Sequence, residues 1–201
     1  MPAIVEIELR DRGDTRRIVF TGDLGRRGLP LLRDPKLVPG CDILITESTC
    51  GDRSHPTEDD LKKQLLQTIC EAAAVDGKVT ILAFSLGRTQ QVVYFLNTLA
   101  NDGQLPQMPI FVDSPLSRRI TSVYRHHRHV LDAEVPPLLV DDSDPFGFRG
   151  LTYITSRQES IALNHRTGPF VVISANSMCE SGRVLHHLRH LVTNPKTRLS
   201  S

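Results

Sequence analysis

Two acidic phrases in the first quarter of the chain hold residues that could do chemistry: Phe20-Thr21-Gly22-Asp23-Leu24-Gly25 and Thr46-Glu47-Ser48-Thr49-Cys50-Gly51-Asp52-Arg53. Each follows an apolar run, Ile18-Val19-Phe20 before Asp23 and residues 42–46 before Glu47, and each breaks at once into small residues. That pattern predicts a buried strand delivering a carboxylate at its carboxyl end, on a tight turn. A carboxylate so placed can bridge the two metal ions of a hydrolase, one oxygen on each. Asp23 can equally close an Asx turn, and Glu47 can open a helical cap, with no chemistry at either. A zinc site also needs imidazoles. No His stands between Met1 and Arg53, so a site using Asp23 is expected to take most of its ligands from outside this chain.

Three later apolar runs also end in small or polar residues. Residues 79–84 lead into Ser85-Leu86-Gly87-Arg88, and residues 110–112 into Asp113-Ser114-Pro115. Residues 170–174 lead into Ala175-Asn176-Ser177-Met178, with Ser181-Gly182-Arg183 just beyond. In open parallel sheets, ligands sit beyond the carboxyl ends of the strands, and helix starts with free amides hold anions. Ser85, Arg88, Ser114, Ser177 and Arg183 are therefore candidates for phosphate contacts. Ordinary strand-to-helix punctuation explains any one of these turns; three in agreement favour a shared edge. Two basic stretches, Arg118 to His129 and Arg183 to His190, could track a nucleic-acid backbone, although a solvated helix face is the plainer reading of the first. His186 and His190 have the i, i+4 spacing of metal ligands. They lack an intervening carboxylate, and metal ligation there is not expected.

The elements that must position these groups follow from periodicity. Residues 3–10 alternate apolar and acidic, the period of a half-buried strand, and pair across a turn at residues 11–14 with a second strand over 15–20. After a basic loop with prolines, residues 42–46 form a short apolar strand. Thr57-Glu58-Asp59-Asp60 is a capping-box-like start, followed by Leu61, Leu65, Leu66, Ile69 and Ala73 at helical spacing, with Asp76-Gly77 as the stop. Strands over 79–84, 110–112, 151–154 and 170–174 then alternate with helices over 88–100, 116–130, 157–163 and 180–192. An irregular acidic segment holds Asp132, Glu134, Asp141, Asp142 and Asp144. Such alternation predicts an α/β fold with a parallel sheet and right-handed crossovers. One further strand is expected beyond residue 201, and an opening strand that needs neighbours suggests a piece of a longer protein.

Composition sets the outer bounds. With 201 residues, 39% of them hydrophobic, the chain can bury a real core. Its 24 basic and 23 acidic residues nearly cancel, so overall charge argues for neither nucleic acid nor membrane. Cys41, Cys50, Cys70 and Cys179 form no C-x-x-C pair and read as reduced thiols of a cytoplasmic protein. No run approaches ~20 apolar residues, so no membrane span is expected.

Taken in order, these phrases resemble the β-CASP branch of the metallo-β-lactamase superfamily, a group of RNA-processing metallo-hydrolases. Phe-Thr-Gly-Asp-Leu-Gly is similar to the fourth metallo-β-lactamase motif, and Thr46 to Arg53 to the first β-CASP motif. Ala83 to Gln90, Asp113 to Leu116 and Ala175 to Leu188 resemble three further family stretches. Cys50 stands where Tyr is common, and Ser177 where a Gly usually precedes the Met. The His-x-His-x-Asp-His motif and the later β-CASP histidines have no counterpart here.

The resemblance implies a partial metallo-β-lactamase αββα edge over residues 1–53. It implies most of an inserted parallel-sheet β-CASP domain over 54–201. It further implies zinc-dependent hydrolysis of RNA phosphodiesters, with Asp23 bridging two Zn2+ ions and Glu47 supporting the catalytic centre. Ser85, Arg88, Ser114, Ser177 and Arg183 would contact the RNA backbone. The partners implied are RNA and either a second copy or a larger processing complex, with no membrane. With one metal ligand of its own, the chain is expected to hold zinc poorly and to be inactive alone. The alternative is a non-catalytic RNA-binding or scaffolding module that partners an active nuclease.

Overall fold

The computed structural model describes residues 3–131 and 144–200. Asp132, Glu134, Asp141 and Asp142 of the acidic segment lie outside the described residues. The described chain builds two sheets. The first has the order β1-β2-β3. Strands β1 (Val5–Asp11) and β2 (Asp14–Phe20) form the expected hairpin, Val5 opposite Phe20 and Asp11 opposite Asp14. Strand β3 (Ile43–Ile45) runs parallel to β2, with Ile18 opposite Ile43.

The period of these strands was legible, but their burial was not. All residues of β1 and β3 are exposed, against the expectation of half-buried and buried strands; in β2 only Val19 is buried. Alternation decides which residues share a face of a sheet. Whether that face is covered depends on a second layer, and the helices described here pack on the other sheet.

The second sheet is wholly parallel, in the order β6-β5-β7-β4-β8. Its strands are β4 (Lys78–Leu82), β5 (Ile110–Asp113), β6 (Leu151–Tyr153), β7 (Phe170–Ser174) and β8 (Thr197–Ser200). Helix α1 (Glu58–Ala74) precedes β4, and α2 (Arg88–Asn101) joins β4 to β5. After β5 come α3 (Pro115–His126) and a 3-10 turn at Arg128–Val130; α4 (Arg157–His165) leads to β7 and α5 (Arg183–Leu191) to β8. The strand expected beyond residue 201 is thus already present as β8, against β4. Helix α5 starts three residues later than expected, because Gly182 at φ +86° precedes the first helical residue.

Both faces of this sheet are covered, and its central strand β7 is buried at every residue, apolar from Phe170 to Ile173 and ending in Ser174. Successive side chains go to opposite faces. Ile110, Val112, Val171 and Ile173 join Ile69, Val79 and Leu96 in one cluster, whereas Phe111, Phe170 and Val172 join Leu163 and Leu191 in the other. The loop between β2 and β3 is tied to this unit. Leu31, 2% exposed, packs into the first cluster, and Arg26 donates to the Pro56 carbonyl at 2.7 Å. No helix among the described residues is long and apolar enough to cross a membrane.

Candidate nucleic-acid interface

The two acidic turns lie side by side because β2 and β3 are neighbours. The Thr21 amide donates to the Ile45 carbonyl at 3.0 Å, and Thr21 Oγ1 reaches Thr46 Oγ1 at 3.2 Å. Glu47 accepts the Thr49 amide at 3.0 Å. Hydrogen bonds from the Thr49 backbone and side chain hold its carboxyl below the usual range, helped by the Leu24 amide and the charge of His55. Asp23 is exposed. Among the described residues, no group of three or more His, Cys, Asp or Glu lies close enough to hold a metal ion. The donors present therefore do not fit a zinc pair, which needs several imidazoles.

The three polar strand ends converge. Strands β5, β7 and β4 are the central neighbours of the parallel sheet, so the turns bearing Ser114, Ser177 and Ser85 leave it at one edge. Ser85 Oγ and Ser114 Oγ are 3.4 Å apart, and Ser114 caps α3 by accepting the Ser117 amide at 3.1 Å. The turn before α2 is closed internally. Gln90 Oε1 accepts the Gly87 amide at 2.7 Å, and the Arg88 and Thr89 amides go to the Leu86 and Phe84 carbonyls. A cradle of free amides is not what this turn offers. What it offers is the exposed Arg88 side chain. Ser177 is half-buried and its backbone is not in the left-handed region; Cys179 (φ +56°) and Gly182 supply those conformations instead.

Arg183 is held from behind. Its Nη1 donates to Asp113 Oδ1 at 2.5 Å, and Asp113 is fully buried. Asp113 Oδ2 also accepts from Ser160 Oγ and from His187 Nε2, the latter at 2.7 Å, while His187 Nδ1 lies 2.8 Å from Asn164 Oδ1. Burial alone would raise the Asp113 pKa; hydrogen bonds from His187, Ser160 and Arg183 outweigh it and hold the carboxyl below its usual range. The serine bonds to the carboxylate and not to the imidazole, so the trio is no nucleophile relay. It is a buried polar hub joining β5, α4 and α5.

Sequence reading named Arg183 and placed Asp113 at a strand end and His187 in a basic stretch, but it missed their pairing, together with Ser160 and Asn164. One signal was available. Val184, His187 and Leu191 are spaced three and four apart, which places the histidine on the apolar stripe of α5, and all three are buried. His186 and His190 are exposed.

A parallel α/β unit whose central strands end in one polar edge, beside a small sheet whose neighbouring strands lead into two acidic turns, defines the class of protein. The chain belongs to the β-CASP family: residues 89–200 match the Beta-Casp domain. It is 35% identical to a ribonuclease of Thermus thermophilus, over 94% of this chain and 43% of that protein. An RNase J-like protein of Methanocaldococcus jannaschii is 31% identical, over 92% of this chain and 43% of its own length. Cleavage and polyadenylation specificity factor subunit 3-I of Arabidopsis thaliana is also 31% identical, over 83% of this chain and 24% of its own length. The chain thus spans less than half the length of each of these relatives.

Proposed function

We propose that this chain is the RNA-handling portion of a metal-dependent ribonuclease of the β-CASP type. The observation that carries the reading is that Ser85, Ser114, Ser177 and Arg183 follow strands ending at one edge of the parallel sheet, in a unit that matches the Beta-Casp domain from residue 89 on. Names of relatives support it, since two of the three cited are called ribonucleases or RNase J-like. In this reading residues 1–53 contribute the Asp23 and Glu47 turns, and residues 54–201 grip the RNA backbone through Arg88 and Arg183. Asp23 would supply one carboxylate ligand to a metal site whose other ligands would come from elsewhere. The residues present do not complete that site, so the chain alone binds RNA and does not cut it. Its working assembly is a second copy or a larger processing complex, in the cytoplasm.

Titration of fluorescein-labelled single-stranded RNA with the 201-residue chain tests the proposal. Saturable binding is expected that weakens steeply between roughly 50 and 200 mM salt, with no cleavage whether or not Zn2+ is added. Absence of binding at the lower salt would sink the RNA reading. Tightly held zinc with cleavage would overturn the incomplete-site argument.

A further inference from the structure

Phe95, Phe111, Phe146 and Phe170 are at most 8% exposed, and each meets another ring or a cation. Phe84 does the opposite. It is 54% exposed, and no ring or cation among the described residues lies against it. Its backbone is nonetheless pinned. The preceding Ala83 amide donates to the Ser174 carbonyl at 3.2 Å. The Phe84 carbonyl accepts from the Thr89 amide at 3.2 Å and from Thr89 Oγ1 at 2.7 Å. A fixed turn thus holds a large ring out in water, where it forgoes much of what burial provides.

The ring stands in polar company. Ser85 follows it, with Oγ 3.4 Å from Ser114 Oγ, so the turns after β4 and β5 touch. Arg88 comes one turn later with an exposed side chain. The contact Arg88 makes, 3.4 Å to Gln91 Oε1, is to a neutral acceptor and leaves its charge uncompensated. Neither turn, 84–88 or 113–117, carries an exposed carboxylate, since Asp113 is buried and paired with Arg183. Leu86 and Leu116 are exposed on the same two turns. The edge therefore presents apolar side chains interleaved with a free positive charge. An apolar protein surface laid over it would have to desolvate Arg88. A polyanion with flat apolar faces satisfies both sets of groups, its phosphates meeting the cation and its bases meeting the ring.

We propose that Phe84 is the base-stacking platform of this edge: one base of single-stranded RNA lies on its ring while the Arg88 guanidinium holds a phosphate beside it. Stacking of this kind tolerates any sequence, because every base has a π-face, so the platform grips RNA without reading it. The inference rests on the RNA-binding reading above.

Oligouridylate of about a dozen nucleotides and an abasic oligoribonucleotide of equal length are titrated into the full 201-residue chain and its Phe84→Leu and Phe84→Trp variants. The parent is expected to bind oligouridylate at least about fivefold more tightly than the abasic strand. Phe84→Leu keeps the apolar bulk but not the π-face, and should bind the two alike, with the salt dependence of the parent because no phosphate contact is removed. The sequence has no tryptophan, so Phe84→Trp adds a single reporter whose emission should be quenched by oligouridylate and not by the abasic strand. Both variants should melt within about 2 °C of the parent, as expected for exposed positions. Equal binding of the two strands by the parent gives the apolar edge to a protein surface and overturns the platform. A preference that Phe84→Leu retains, or tryptophan emission that does not respond, overturns it while leaving RNA binding intact. A much lower melting temperature in both variants overturns it too, since the ring would then be holding the fold. Binding of neither strand overturns the RNA reading and the platform together.

Discussion

At the scale of single residues, Asp113 has the most at stake. It is wholly buried and accepts from Arg183, His187 and Ser160. Replacing one partner of a buried charge pair leaves the other uncompensated, at about 3–5 kcal/mol. Asp113→Asn is therefore expected to lower unfolding stability at neutral pH by about 3 kcal/mol, read from urea midpoints, and Ser160→Ala by about 1 kcal/mol. The carboxyl's folded pKa is depressed. Its stabilisation is present above the unfolded value of about 3.9 and is lost as pH falls through the lower folded value. Between about pH 5 and pH 2 the parent chain should lose stability more steeply than Asp113→Asn, because the variant has no such carboxylate to protonate. Parallel pH profiles would remove Asp113 from the role assigned to it. If Arg183 grips RNA, the same substitution frees its guanidinium and changes RNA affinity as well as stability.

At the scale of elements, helix α1 separates what sequence discloses from what it conceals. Its start was legible. Thr57 Oγ1 accepts the Asp60 amide at 3.2 Å while Asp60 Oδ2 accepts the Thr57 amide at 3.2 Å, the reciprocal box that the residue types announce. Thr57→Ala should cost about 1 kcal/mol. Its stop was legible only as a place. Asp76 takes the left-handed backbone, at φ +51°. Gly77 serves instead for close approach, since a Cβ there would lie 2.3 Å from the Lys196 carbonyl oxygen. Gly77→Ala must push that segment, and β8 after it, away from β4. A loss of about 1–3 kcal/mol is expected, with faster hydrogen exchange at Thr197–Ser200 than elsewhere in the sheet. The same division runs through the molecule. The alternation from β4 to α5 could be read because each element repeats its own period over several residues. The Asp113 hub could not, because its members come from β5, α4 and α5, and only folding makes them neighbours.

For the whole molecule, the first sheet poses the physical problem. Residues paired across strands point to the same side, so Val5, Phe20 and Ile45 form one row of a face, and Ile7, Ile18 and Ile43 the next. The alternation seen in sequence is thus real, and it assembles a continuous apolar face. Yet Val5, Ile7, Phe20, Ile43 and Ile45 are 37% to 49% exposed. Each such side chain forgoes part of the roughly 1.5–3 kcal/mol that full burial provides, and contiguous exposed apolar surface promotes association. The 201-residue chain in isolation is therefore expected to bind a hydrophobic dye such as ANS and to show concentration-dependent association in sedimentation velocity. Ile7→Lys combined with Ile43→Lys should suppress both. The doubly covered parallel sheet is a separate layer with its own clusters, so its unfolding transition should move by no more than about 0.5 kcal/mol, as for surface substitutions elsewhere. If the double variant unfolds that sheet as well, the two sheets form one cooperative unit, and the apolar face is already supporting the fold that carries Arg88 and Arg183. If dye binding and association persist unchanged, the sticky surface lies elsewhere, with Leu37 and Met178, 75% and 63% exposed, the next residues to replace.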